Sequence, residues 1–254
     1  MQVNPKIIKK QFEKSFETYD QNAIVQQLMA KKLVSALVET GSNFDTVLEL
    51  GCGTGILTRE LINSIKFKTF LANDLVEKSK IYIDKIVPNT KFYLGNALKI
   101  KPSQKVDLVV SNAMFQWFNN LENVSSHCKN ILNKDGILAF STFSDGHYKE
   151  IEELTGLSLS YKNVNEIKNI LAKNFDILHF EEFTKVLDFS SPLELLAHMK
   201  TTGVNSLTAH HWTFKEVKNF CDNYKNKYPN ITLTYSPVIV ICKQSNRNSH
   251  CSAV

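Results

Sequence analysis

Glu49-Leu50-Gly51-Cys52-Gly53-Thr54-Gly55 sets an acidic residue ahead of three alternating glycines. Glycine reaches backbone angles closed to other residues and leaves no Cβ between main chain and ligand, so a cofactor can lie directly on such a loop. The third glycine of the dinucleotide fingerprint G-x-G-x-x-G would fall at position 56, which is Ile56, and this spacing argues against a nicotinamide cofactor. Asp74 lies 19 residues beyond Gly55. A carboxylate there can accept both hydrogen bonds of a ribose diol. No Ser-His-Asp or Cys-His constellation accompanies the loop. His127, His198, His210 and His211 lack metal-ligand spacing and read as structural or surface residues. Cys52, Cys128, Cys221, Cys242 and Cys251 are odd in number and scattered, which fits neither a disulfide framework nor a zinc site.

The elements that must position these residues follow from periodicity. Val47 to Leu50 is a short apolar run leading into the glycines, and Leu57, Leu61 and Ile65 recur beyond them, which reads as strand, tight loop and helix. From Asp45 the pattern alternates strand and helix. Strands are expected at 46–50, 67–73, 91–94, 106–111 and 136–142, and helices at about 55–64, 77–86 and 120–132. Ligands in such open sheets bind beyond the carboxyl ends of the strands. Gly51 to Gly55, Asp74, Asn96-Ala97, Ser111-Asn112 and Thr142-Phe143 all fall there. Ahead of this core, Ile8, Phe12, Phe16 and Tyr19 mark one apolar helix face, and Val25, Met29, Leu33 and Leu37 mark a second helix, capped by Asp20 or Asn22 and closed by Gly41. These two helices can cover the cofactor. Past the core, a helix at 163–173 leads to a strand around 176–189. Ser190-Ser191-Pro192 starts another helix, one more spans 213–227 after Thr213, and Thr232 to Lys243 reads as the last strand.

The expected architecture is therefore α/β, a Rossmann-like fold with a seven-stranded, mostly parallel sheet. Residues 1–243 form one domain: 1–44 as covering helices, 45–189 and 232–243 as the cofactor-binding core, 190–231 as an inserted helical lid. Residues 244–254 are polar, without periodicity, and read as a disordered tail. With 254 residues and 43% apolar content the chain has ample material for a core. It has no 18-residue apolar run and no signal-peptide segment, which points to the cytoplasm and away from a membrane. Of 30 basic residues only Arg59 and Arg247 are arginine, without dense basic runs, so the net charge of +5 argues against nucleic acid as partner.

Led by Glu49, the glycine loop resembles motif I of class I S-adenosylmethionine (SAM) dependent methyltransferases. A narrower likeness runs from residue 12 to 243. It comprises Phe12 to Asp20 (Phe-x-x-Ser-x-x-x-Tyr-Asp), Gln27, Ser111-Asn112-Ala113-x-x-Gln116-Trp117, Phe140-Ser141-Thr142-Phe143, Glu152 to Leu159, Lys200-Thr201-Thr202-Gly203 and Leu233 to Val238. Together these are similar to the malonyl-[acyl-carrier protein] O-methyltransferases of biotin synthesis.

The resemblance implies methyl transfer from SAM to the free carboxylate of malonyl-acyl carrier protein. The product is an ester whose masked charge lets fatty-acid enzymes elongate it. A carboxylate is ionised at neutral pH and already nucleophilic, so alignment and desolvation should carry catalysis without a general base. Donors to the carboxylate are expected to be Tyr19 first, then Lys200 on the lid, with Gln116 and Ser141 as neutral candidates. A lysine offers a point charge rather than a bidentate fork. SAM contacts are expected from Gln27, Glu49, Gly51, Cys52, Gly53, Gly55, Asp74, Leu75, Asn96, Ala97, Ser111 and Asn112. Asn96 stands where methyltransferases often place Asp against the adenine amino group, and its oxygen can still accept. Trp117 and Phe118 read as core or pocket wall. The acidic carrier would meet a lid fringed by Lys200, Lys215, Lys218, Lys225 and Lys227. Rival readings are a methyltransferase of a small free carboxylic acid, as in aconitate-type enzymes, and a non-catalytic SAM-binding protein. An N6-amine nucleic-acid methyltransferase would need Asn/Asp-Pro-Pro-aromatic after strand four, where Ser111-Asn112-Ala113-Met114 stands.

Overall fold

The computed structural model describes residues 4–202 and 212–245. Helix α1 (Pro5–Ser15) starts on Asn4, whose side chain accepts from Lys6 N at 2.9 Å, with Pro5 in the first turn. A single turn, α2 (Tyr19–Asn22), separates it from α3 (Ile24–Thr40), which ends at Gly41. The expected capping by Asp20 or Asn22 does not occur. The residue before α3 is Ala23, without a side-chain cap, and Asp20 is engaged elsewhere.

The core then alternates as β1 (Asn43–Leu50), α4 (Ile56–Ile62), β2 (Lys66–Asp74), α5 (Ser79–Ile86), β3 (Lys91–Leu94), β4 (Val106–Ser111), α6 (Leu121–Ile131) and β5 (Leu132–Phe143). Next come α7 (Lys149–Thr155), α8 (Val164–Ala172), β6 (Phe175–Glu182), β7 (Lys185–Asp188), α9 (Pro192–Thr201), α10 (Phe214–Lys227), β8 (Thr232–Tyr235) and β9 (Pro237–Gln244). Seven strands form one sheet in the order β3-β2-β1-β4-β5-β9-β6. The first five are mutually parallel, while β9 runs antiparallel to both β5 and β6. Chain order reverses between β1 and β4, and this is where such sheets open a crevice at their carboxyl ends.

Helices cover both faces, which is why central strands read as unbroken apolar runs. One core gathers α1, α3 and α4 with side chains such as Val47, Leu108 and Ile239. The other packs Leu121, Val124 and Cys128 of α6 and Ile167 and Leu171 of α8 against Leu48, Val109 and Phe140.

The two strands expected at 176–189 and 232–243 are each broken. β6 and β9 belong to the main sheet, whereas β7 and β8 form a separate antiparallel pair, Lys185 opposite Tyr235 and Asp188 opposite Thr232. The break falls where Ser236 turns its carbonyl to Ser144 N at 2.9 Å and where Pro237 has no N–H to donate. Two residues expected in the tail, Gln244 and Ser245, are instead tied to the folded core. Gln244 is the last residue of β9, and Ser245 N donates to Asn174 O at 3.0 Å; residues 246–254 and Gly203, His210, His211, Arg247 and Cys251 lie outside the described residues. Helix α7, to which no periodicity points, follows β5 directly. No helix among the described residues is long and apolar enough to cross a membrane.

Candidate active site

A cavity of about 380 Å³ opens at the carboxyl ends of β1, β2, β3 and β4. Glu49, Gly51, Cys52 and Gly53 come from the first strand and its loop, Asp74 and Leu75 from the second, Asn96 and Ala97 from the third, Asn112 and Met114 from the fourth. α1 supplies Ile8 and Phe12 to the opposite side.

The glycines divide their labour. Gly53 has φ +51 and a Cβ there would meet nothing within 4 Å, leaving its backbone bare to the cavity. Gly55, expected to contact the cofactor, does not line the cavity. A Cβ on it would clash with Ile86 Cδ1, so this glycine permits α4 and α5 to pack. Asp74 is held by the loop it faces: Oδ2 accepts from Gly53 N at 2.8 Å and Oδ1 from Val76 N at 2.8 Å. Each oxygen keeps acceptor capacity for a ligand. Burial outweighs those amide bonds and raises the Asp74 carboxyl above its ordinary range.

Glu49 is 1% exposed and accepts from Thr58 Oγ1 at 2.6 Å. Burial pushes its carboxyl up to about 8 against the opposing Thr58 bond, and Asp74 nearby adds to the rise. A buried acid of this kind is poised to ionise when a cation arrives. Burial, then the charge of Asp74, likewise keeps Cys52 a thiol.

Several expected contacts turn out to be fasteners. Ser111 Oγ donates to Leu50 O at 2.8 Å and does not line the cavity; it pins β4 to the end of β1. Ser141 Oγ donates to Asn112 Oδ1 at 2.6 Å and accepts from Ala113 N at 3.0 Å, so its one donor proton is spent within the protein. Asn112 Nδ2 reaches Gln26 O at 3.0 Å, and Gln116 Nε2 returns to Ala113 O at 2.6 Å. These bonds hold Ala113 at φ +49, a strained angle for a residue with a Cβ. Gln27 also lies off the cavity, its amide donating to the Asp20 carbonyl. Lys200 is exposed on α9 and lines neither cavity, because the buried face of that helix carries Leu195 and Met199 instead.

Tyr19, Phe12, Ala113 and Trp117 line both the large cavity and a second chamber of about 20 Å³. Phe12 meets Trp117 edge-on at 5.9 Å and Tyr19 at 5.8 Å. Burial, with Tyr235, Asp20 and Asp74 nearby, raises the Tyr19 hydroxyl so that it remains a neutral donor. Gln116 faces the second chamber with Gln26, Phe143, His147, Tyr148, Tyr161 and Thr202. No sequence motif signals His147, Tyr148 or Tyr161, because their convergence depends on the turn after β5. The Asp20 link to the loop is also unsignalled: Thr54 Oγ1 donates to Asp20, and so does Arg59.

A family model described as a methyltransferase domain matches residues 21–189. A malonyl-[acyl-carrier protein] O-methyltransferase of Haemophilus influenzae is 34% identical over 94% of this chain and 94% of its own length. Proteins of the same name from Bacteroides thetaiotaomicron and Calditerrivibrio nitroreducens are 34% and 35% identical, over 95% and 93% of this chain and 99% and 96% of theirs. Among solved structures, a methyltransferase-like protein of Bacillus halodurans superposes with a TM-score of 0.61 at 14% identity, covering 83% of this chain and 97% of that one. The N-methyltransferase NodS of Bradyrhizobium japonicum, in complex with S-adenosyl-L-homocysteine, gives 0.53 at 11% identity, covering 85% and 86%. These two likenesses concern the fold.

Proposed function

We propose the reaction from a premise of descent: the chain belongs to the malonyl-[acyl-carrier protein] O-methyltransferases, within the larger methyltransferase-domain family. It is a SAM-dependent carboxyl methyltransferase. It moves the methyl group of SAM to the free carboxylate of malonyl-acyl carrier protein, giving the malonyl methyl ester that primes pimelate synthesis for biotin. The observation that carries this reading is likeness along nearly the whole length of both chains, beyond the cofactor core alone.

The residues present suit SAM. The cavity volume lies within the roughly 300–1,000 Å³ of small-molecule sites. Bound SAM supplies a methyl group made electrophilic by the neighbouring sulfonium. Asp74 is assigned to the ribose diol, the bare Gly53 backbone to close approach of the cofactor, and buried Glu49 to its ammonium group. Asn96, Ala97 and Leu75 are assigned to the adenosine end. Tyr19, in the wall between the two chambers, is assigned to orienting the carboxylate as a neutral donor. Residues 1–44 act as the cofactor's cover and 190–231 as the substrate lid, whose lysines receive the acidic carrier. The cytoplasm, where carrier-bound chains are elongated, is its site of action.

The test is methyl transfer from labelled SAM to malonyl-acyl carrier protein beside malonyl-coenzyme A and free malonate. Fastest esterification of the carrier-bound acid supports the reading. Equal turnover of free small acids would sink the assignment of substrate.

A further inference from the structure

The second chamber is unusual in what surrounds it. Three of its lining residues, Gln26, His147 and Tyr148, are 4%, 2% and 2% exposed. Gln26 Oε1 and His147 Nδ1 each lack a hydrogen-bond partner among the described residues, and the Tyr148 hydroxyl has only the Tyr235 hydroxyl beside it. Buried polar atoms are seldom left unpaired, and residues that carry such atoms around one void mark a place where something polar belongs. At about 20 Å³ the void admits one water-sized oxygen.

These groups are held in place. His147 is sandwiched between Phe143 at 3.8 Å and Tyr148 at 3.9 Å, both stacked, and Tyr161 closes its edge at 5.0 Å. Tyr148 sits at φ +58, a conformation that side-chain-bearing residues rarely adopt, and its N–H is fixed to Thr234 O at 2.8 Å. Burial pushes the His147 imidazole well below its usual range, so it is neutral at physiological pH. Among the described residues, no Lys, Arg, Asp or Glu lines the chamber.

We infer that this chamber seats one oxygen of the substrate's malonyl carboxylate, held by the Tyr148 hydroxyl and His147 Nδ1–H, with Gln26 turning its amide to donate. The inference rests on the methyl-transfer reading above. The other carboxylate oxygen then faces the large cavity between Tyr19 and Trp117, which line both spaces. Its lone pair forms the new O–CH3 bond while the S–CH3 bond breaks and that electron pair returns to sulfur, so a carboxylate and a sulfonium become a neutral ester and a neutral thioether. Charge disappears along this path. A lysine or arginine on the carboxylate would stabilise the ground state more than the transition state, whereas neutral dipoles orient it without that penalty. The uncharged lining is what such chemistry favours.

The test compares wild type with Tyr148→Phe and His147→Phe, measuring kcat/KM for malonyl-acyl carrier protein and, separately, affinity for S-adenosyl-L-homocysteine. Loss of a hydrogen bond to a charged group predicts kcat/KM lower by about 10- to 100-fold in each variant, with homocysteine-adduct affinity within about twofold of wild type. Full turnover by both variants would leave the chamber holding a water only and overturn the inference while the reaction assignment stands. Parallel loss of cofactor affinity and turnover would also overturn it, since these residues would then be supporting the fold. A wild-type enzyme inactive on malonyl-acyl carrier protein removes both readings together.

Discussion

Arg59 Nη2 donates to Asp20 Oδ2 at 2.6 Å and ties the short helix that begins with Tyr19 to the helix that follows the glycine loop. Arg59 Nη1 also donates to Thr54 O at 2.9 Å, so one guanidinium spans the cover and the loop. Both side chains of the pair are about two-fifths exposed, at 42% and 41%. An ion pair that open to water contributes under about 1 kcal/mol. The pair is expected to act instead by placing Tyr19. Arg59→Leu should therefore shift Tm by less than about 4 °C yet speed dissociation of S-adenosyl-L-homocysteine in stopped flow. An unchanged off-rate would show that the tether positions nothing.

The alternating glycines should separate in their failures. Gly55→Ala forces a methyl against Ile86 Cδ1 at φ +84, and calorimetry should report a clear fall in Tm. Gly53→Ala meets no protein atom. It carries only the backbone strain of about 1–2 kcal/mol, while its methyl intrudes on the proposed cofactor. Cofactor affinity should drop by at least about tenfold, equivalent to ~1.4 kcal/mol, and isothermal titration would detect it.

Glu49 makes the cofactor-free enzyme sensitive to alkali. Its carboxyl is raised by burial from 4.5 to about 8, so the folded state holds the proton that the unfolded chain releases. The stability this contributes is full below pH 4.5 and is lost as pH rises through about 8. Glu49→Gln should flatten that decline in a Tm series across the window. A cationic ligand beside Glu49 would expel the proton, so affinity for S-adenosyl-L-homocysteine should rise with pH in wild type and not in the variant. Equal pH slopes in both proteins would refute this.

Lys200 should matter only at a distance. It is exposed on α9 and is not among the residues that line either chamber. Lys200→Ala is expected to keep kcat at saturating carrier protein. Any rise in KM should vanish as salt screens the charged encounter. A fall in kcat would return Lys200 to the reacting centre.

Much of the core was legible because parallel strands covered on both faces are written as apolar runs between polar loops. Val106 to Ser111 and Lys91 to Leu94 match their expected bounds. Ser191-Pro192 and Thr213 start their helices as expected, each with a side-chain cap. Roles that depend on distant partners were not legible. Ser111 and Ser141 stand at strand ends like ligand donors, yet Leu50 and Asn112, far off in sequence, claim them. Asp20 looks like a helix cap until the loop around Thr54 arrives to take its carboxylate. The break at Ser236 is invisible locally because it is made by Ser144, 92 residues away. His147 lies in a turn without periodicity, and only folding brings Phe143 and Tyr148 around it.

Helix α1 has a consequence for durability. It contains 11 residues, of which only Ile8 and Ser15 are buried, yet Pro5, Ile8, Lys9 and Phe12 shape one side of the large cavity. A helix shorter than about 12–15 residues is marginal in water by itself. Its amides should exchange with solvent by local fraying, well before those of the sheet. The cavity's form on that side is thus an equilibrium property, set by the fraction of time one short helix stays wound, and whatever fills the cavity shifts that balance by mass action.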